Sequence, residues 1–291
     1  DDNQLHVHCD LSNVIASADT LQQCITAIGY WMSANRLKLN ADKTELIWAG
    51  TRHSLSQLQD GCGPSLTLGS DMVDVANAVR ILGVTVTPDL ALEKHVSMVS
   101  AKCFFQLRQL RRVRRSLDSD SITTLVHALV TSRVDYCNCL LANAPATWTD
   151  KLQRVLNAAA RVITDTRKFD RGLTHILQDQ LHWLDIPRRV MFRLCTTVYR
   201  CLHGLAPSYL AELCRSTSDV DGRSHLRSAA RGMLVTPSYK LSTYGKRAFS
   251  YAGPSTWNLL PDRLKDSEPT FDSFRRLLKT FYLEQMTHPA H

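Results

Sequence analysis

No stretch of this sequence approaches the roughly 20 consecutive apolar residues that cross a bilayer, and its polar start lacks the charged-then-apolar order of a secretory leader. No membrane partner is expected. The nine cysteines (Cys9, Cys24, Cys62, Cys103, Cys137, Cys139, Cys195, Cys201, Cys214) are odd in number and lack paired short spacings. Cys137-x-Cys139 and the group Cys195, Cys201, His203 and Cys214 do not match a zinc site, so no zinc is expected, and buried free thiols in a reducing compartment are the better reading. Internal repeats and low-complexity stretches are missing as well. Nor do His95, His127, His175, His182 and His203 fall into a Ser/His/Asp or Cys/His order, and they are assigned no catalysis.

What is present is a chain of 291 residues, 44% hydrophobic, enough for one large or two ordinary domains with real cores. Its formal charge of +8 is unevenly spread. Residues 1–90 hold 5 lysines and arginines against 10 carboxylates, whereas residues 91–291 hold 30 against 17. A front that concentrates acids joined to a longer basic part is the polarity expected of a metal-handling site and a polyanion-handling surface. A basic part that serves only solubility is the plainer alternative.

The hydrophobic period predicts an α+β chain. Leu5, Val7 and Cys9 alternate with His6 and His8, the pattern of a half-buried strand with both histidines facing outward. Apolar residues at Leu21, Ile25, Ile28 and Met32 then predict an amphipathic helix ending near Asn35. "LKLNADKTELIWAG" reads as a turn at Asn40-Ala41-Asp42 and a strand through Leu46, Ile47 and Trp48. "SLTLGSDMVDV" reads as two strand arms about a Gly69-Ser70-Asp71 turn, and "VRILGVTV" as a strand broken by Gly83. From about Leu90 the period turns helical: Val96, Val99, Cys103, Leu107, Leu110 and Val113 share one side of a long helix. Further helices are predicted at 120–142, 147–164, 187–203 and 208–215, a polar loop between Ser216 and Arg231, mixed extended pieces and turns after it, and a closing helix from Pro269. Phe104, Phe105, Trp148, Trp183, Tyr199 and Trp257 are expected in cores or interfaces.

The long helix carries a second pattern. Arg108, Arg111, Arg112 and Arg115 follow i, i+3, i+4, i+7 and so share a face away from the apolar stripe, with Arg114 nearer its edge. Arginine pairs bidentately with phosphate oxygens, and such a row would follow a duplex backbone without reading bases.

At the front, Asp1 and Asp2 place two carboxylates where hard oxygen ligands could hold Mg²⁺. They open a longer order of motifs: "DDNQL", then a helix, then "LKLNADKTELIW", then "ILGVTV". This order resembles the reverse transcriptases of non-LTR, LINE-type retrotransposons of the CR1/Jockey kind, whose palm carries Tyr/Phe-Ala-Asp-Asp, a long helix and "LxLNxxKTE". "HVSMVSAKCFFQLRQLRRVRRSL", "RVDYCNCLLANAP", "LQRVLNAAARVIT", "LHWLDIPRRVMFRLCTTVYRCLHGLAPSYL" and "GKRAFSYAGPSTWNLLPDRL" extend the likeness over nearly the whole chain. Asn3 stands where threonine is more usual.

The resemblance implies the end of a polymerase palm over residues 1–90, a helical thumb over 91–145, a helical region over 146–215 and a mixed region over 216–291. It implies that Asp1 and Asp2 hold catalytic Mg²⁺, that Lys43 neutralises the leaving group, and that Ile81, Leu82, Gly83 and Val84 form the hairpin gripping the primer. RNA template, a DNA primer or target duplex and deoxynucleoside triphosphates are the implied partners; cytoplasm and nucleus are the implied locations. The family places fingers and an earlier metal-binding aspartate upstream of the aspartate pair. The expectation is therefore a catalytically incomplete segment of an RNA-directed DNA polymerase, with a non-enzymatic nucleic-acid-binding module derived from such an element as the alternative.

Overall fold

The computed structural model describes all residues except 1–2, 59–62, 168, 221–230, 266–269 and 288–291. The chain is mixed α+β, 61% helical, with two small antiparallel two-stranded sheets among the described residues. It divides into two compact units, Asp1–His95 and Val96–His291.

In the first unit, α1 (Val14–Ala34) buries Val14, Ser17 and Ala18, while Leu21, Ile25, Ile28 and Met32 are half-buried along the expected stripe. After a short α2 (Arg52–Ser56), β1 (Leu66–Leu68) pairs with β2 (Asp71–Val73), so that Leu66 faces Val73 and Leu68 faces Asp71 across the Gly69-Ser70 turn. The Gln22 side chain docks α1 on this hairpin: its amide nitrogen donates to the Thr67 carbonyl (2.7 Å) and its oxygen accepts from the Thr67 N–H (2.7 Å), satisfying a backbone pair outside the ladder.

The second hairpin corrects the single broken strand expected at "VRILGVTV". Leu82 and Gly83 both take positive φ, 47° and 87°, so the chain reverses between β3 (Val79–Ile81) and β4 (Val84–Val86) in a tight two-residue turn. Two other strand expectations are also corrected. Residues 3–10 make no ladder, and the side chains of Leu5 and Val7 are exposed. The Leu46–Trp48 segment contributes only an isolated bridge, Leu46 to Val75, because Trp48 turns to hydrogen-bond the Pro64 carbonyl (3.0 Å).

α3 (Glu93–Val113) leads into the second unit with Val96, Ser100, Cys103, Leu107 and Leu110 buried, whereas Val113, expected on the stripe, is 48% exposed. Instead of one helix over 120–142, α4 (Ser119–Val126) passes through a π-turn at His127–Thr131 into α5 (Ser132–Asp135) and stops, because Tyr136 is extended and Cys137 is left-handed (φ 52°). α6 (Ala146–Ile163) buries Trp148, Leu152, Val155, Leu156 and Ala159. Beyond α7 (Leu173–His175), α8 (Ile186–Leu202) starts where the Asp185 carboxylate accepts from the Arg188 N–H (2.9 Å), with Pro187 in its first turn. α9 (Ser208–Ala211) is a single turn, shorter than expected.

The stretch from Gly232 to Leu264, expected as extended pieces and turns, begins extended but carries three helices, α10 (Ser242–Gly245), α11 (Phe249–Asn258) and α12 (Asp262–Lys265), and the expected closing helix is α13 (Phe271–Thr287). Pro254 inside α11 hid that helix from periodicity. A Cβ on Gly253 would fall 3.1 Å from Val198 Cγ2, so glycine there permits close packing of α11 on α8. Tyr199, Trp257, Phe274, Leu278 and Tyr282 close this core, with Tyr199 stacked on Phe274 at 4.4 Å. Pro269, the expected start of the closing helix, lies outside the described residues.

Candidate nucleic-acid interface

The buried stripe of α3 fixes which of its residues face solvent. Successive residues rotate by about 100°, so packing Val96, Cys103, Leu107 and Leu110 inward turns Arg108 and Arg112 outward. All four arginines of the row, Arg108, Arg111, Arg112 and Arg115, are exposed. Arg112 Nη1 donates to Gln109 Oε1 at 3.4 Å, leaving the rest of its fork available. Between Lys94 and Leu117 there are two lysines, five arginines and no carboxylate. The next acid, Asp118, is committed to the start of α4, where it accepts from the Ser121 N–H (2.7 Å) and hydroxyl (3.1 Å), bonds that hold its carboxyl below the usual range.

Arg114 does something different from its neighbours. Its Nε donates to the Val162 carbonyl (3.0 Å), its Nη2 to Ile163 (3.1 Å) and its Nη1 to Leu117 (3.0 Å). The first two are terminal carbonyls of α6 without partners further along that helix, so a cation caps the negative end of α6 and ties the end of α3 to it. Arg108, Arg111 and Arg112 stand on α3, whereas Arg115, expected on the same helix, lies beyond its end in the 3-10 turn Arg114–Ser116.

Phe104 and Phe105 do not lie in a core. They lie one turn before Arg108 and are 36% and 51% exposed. The reason is geometric: adjacent helical residues diverge by about 100°, and this stripe is already filled by Cys103 and Leu107. The other aromatics named with them, Trp148, Trp183, Tyr199 and Trp257, are buried.

In the first unit, Lys43 ends a 3-10 turn, Ala41–Lys43, whose Asn40 side chain accepts from the Lys43 N–H (3.2 Å); Lys43 itself is exposed. Glu45, two residues on, accepts from the Arg80 N–H (3.2 Å), and Leu46 O accepts from Ala76 N–H (2.8 Å). The Lys43 turn is thus tied to the strand that enters the Ile81–Val84 hairpin. At that hairpin Ile81 and Leu82 are exposed and Val84 is buried. Asp1 and Asp2 lie outside the described residues.

Among the described residues no group of three or more His, Cys, Asp or Glu side chains is placed to hold a metal ion. The described cysteines are free: burial pushes the Cys103 thiol up to about 11 and the Cys195 and Cys214 thiols up to about 12, so they are protonated and unreactive at neutral pH. Cys24 is exposed, which the buried-thiol reading did not anticipate. No described helix is long and apolar enough to cross a membrane.

The described fold and surface thus define an α+β chain with an arginine-rich, aromatic-bearing helix face. No protein-family model, curated protein or solved structure matches the chain.

Proposed function

We propose that this chain belongs to a LINE-type reverse transcriptase and comprises the end of the palm, a helical thumb beginning at α3, and a downstream region. The observation that carries this reading is the order of "DDNQL", α1, "LKLNADKTEL" and the Ile81–Val84 hairpin in one chain. Support comes from the tie between the Lys43 turn and β3, and from the exposed arginine face.

In the parent reaction the primer 3′ hydroxyl attacks the α-phosphorus of a deoxynucleoside triphosphate, forming one P–O bond as the bond to pyrophosphate breaks. The Asp1 and Asp2 carboxylates are hard oxygen donors that suit Mg²⁺, which when bound stabilises charge on the phosphates. Lys43 neutralises the departing pyrophosphate, and Arg108, Arg111, Arg112 and Arg115 hold the template–primer backbone.

The test is extension of a primed RNA template. A polymerase that contains this chain extends the primer and loses that activity on Asp1→Ala or Asp2→Ala. A protein that binds nucleic acid but never extends a primer overturns the polymerase reading. The second reading, a basic nucleic-acid-binding module without catalysis, is favoured by one observation: the arginine face stands on the unit with the larger aromatic core. It predicts salt-dependent binding that is indifferent to Asp1→Ala.

A further inference from the structure

We infer that the outer face of α3 binds unpaired nucleotides, stacking bases on Phe104 and Phe105 while Arg108 and Arg112 hold the flanking phosphates. The inference deepens the nucleic-acid reading above and rests on it. An arginine row alone suffices for a duplex, whose bases are stacked on one another and present phosphates outward. Two phenylalanines in the same surface gain nothing from such a backbone. They gain from a single strand, where every base has a free π-face and stacking on an aromatic side chain is sequence-tolerant.

The geometry supports one continuous track. Phe104 and Arg108 are four residues apart, Phe105 and Arg108 three, so both rings neighbour the Arg108 stem on the helix surface. Side chains on a helix lean toward its N-terminus, which brings the Arg108 and Arg112 stems back toward the ring pair. Arg108 and Arg112 are about 6 Å apart along the axis, close to two stacked nucleotide steps of about 3.4 Å each. The charge is complementary to a polyanion: the run from Lys94 to Leu117 holds no acid, and Asp118 is engaged in its cap. An acidic protein would also find the arginines, but it has no particular use for two flat aromatic faces beside them.

The experiment measures fluorescence anisotropy of the full chain with a labelled 20-nucleotide oligo-dT and with a blunt duplex of the same length, across a salt series. The Phe104→Ala/Phe105→Ala variant weakens oligo-dT binding at least tenfold, with duplex affinity and both salt slopes kept. Phe104→Leu/Phe105→Leu, which retains apolar surface and helix propensity, weakens oligo-dT binding to the same degree because leucine cannot stack. Arg108→Ala/Arg112→Ala weakens both ligands and lowers both salt slopes. Leucine variants that bind oligo-dT like the parent, or alanine variants that lose both ligands equally, overturn the stacking inference while leaving the nucleic-acid reading intact. A parent chain that binds neither ligand overturns both.

Discussion

Arg114 and Arg115 are adjacent and differ in kind, one spending its donors on the carbonyl end of α6 and the other directed to solvent. Charged donors to otherwise unpaired carbonyls contribute roughly 1.5–3 kcal/mol, so Arg114→Ala lowers unfolding free energy by about 2 kcal/mol in urea titration. Arg115→Ala changes it by less than about 0.5 kcal/mol. On the proposed nucleic-acid reading, affinity follows the reverse order, which anisotropy titration of both variants checks. Charge spacing identified the exposed row in the sequence, but it could not reveal that Arg114 reaches another helix about 48 residues away in the chain. The exposure of Phe104 and Phe105 was legible in principle: two adjacent residues cannot both join a stripe that Cys103 and Leu107 already occupy.

The turns between elements carry their own energetics. At the second hairpin a leucine holds φ 47°, a region favourable to asparagine and glycine and costly for leucine. Leu82→Asn therefore stabilises by about 0.5–1 kcal/mol and Gly83→Ala destabilises by more than about 1 kcal/mol, read from thermal unfolding. Before α3, the Asp89 carboxylate accepts from the Thr87 hydroxyl (2.6 Å) and the Ala91 N–H (3.2 Å), which hold its carboxyl below the ordinary aspartate value despite partial burial. A depressed folded value means stability that is complete above the unfolded pKa and lost as pH falls through the folded one. The stability gap between the parent and Asp89→Asn accordingly closes as pH drops below about 4, measurable by urea titration at each pH.

Helices long enough to repeat their apolar spacing, α1, α3, α6 and α8, were readable in the sequence, because burial of a stripe leaves a 3.6-residue signature. Elements without such a repeat were not readable from periodicity alone. The hairpin at Leu82-Gly83 lacks the Asn-Gly signature of its turn, α11 contains a proline, and alternation at Leu5, Val7 and Cys9 cannot create a ladder without a paired strand.

At the scale of the whole molecule, the two units differ in how they are built. The described apolar residues buried in the first are valines, leucines and one alanine, whereas the second assembles Tyr199, Trp257, Phe274 and Tyr282 around α8. Large aromatics contribute most of the burial energy in cores of this size. Residues 88–291 expressed alone are therefore expected to give a cooperative thermal transition and, on the proposed reading, to bind nucleic acid with salt dependence; a non-cooperative, molten transition would show that the first unit is needed for the second to fold. The Arg114 tie has a calorimetric corollary. With the last turn of α3 anchored before any partner arrives, association orders side chains and no backbone, so titration calorimetry across temperatures should return only a small negative heat-capacity change, far from the large value of a segment that folds as it binds.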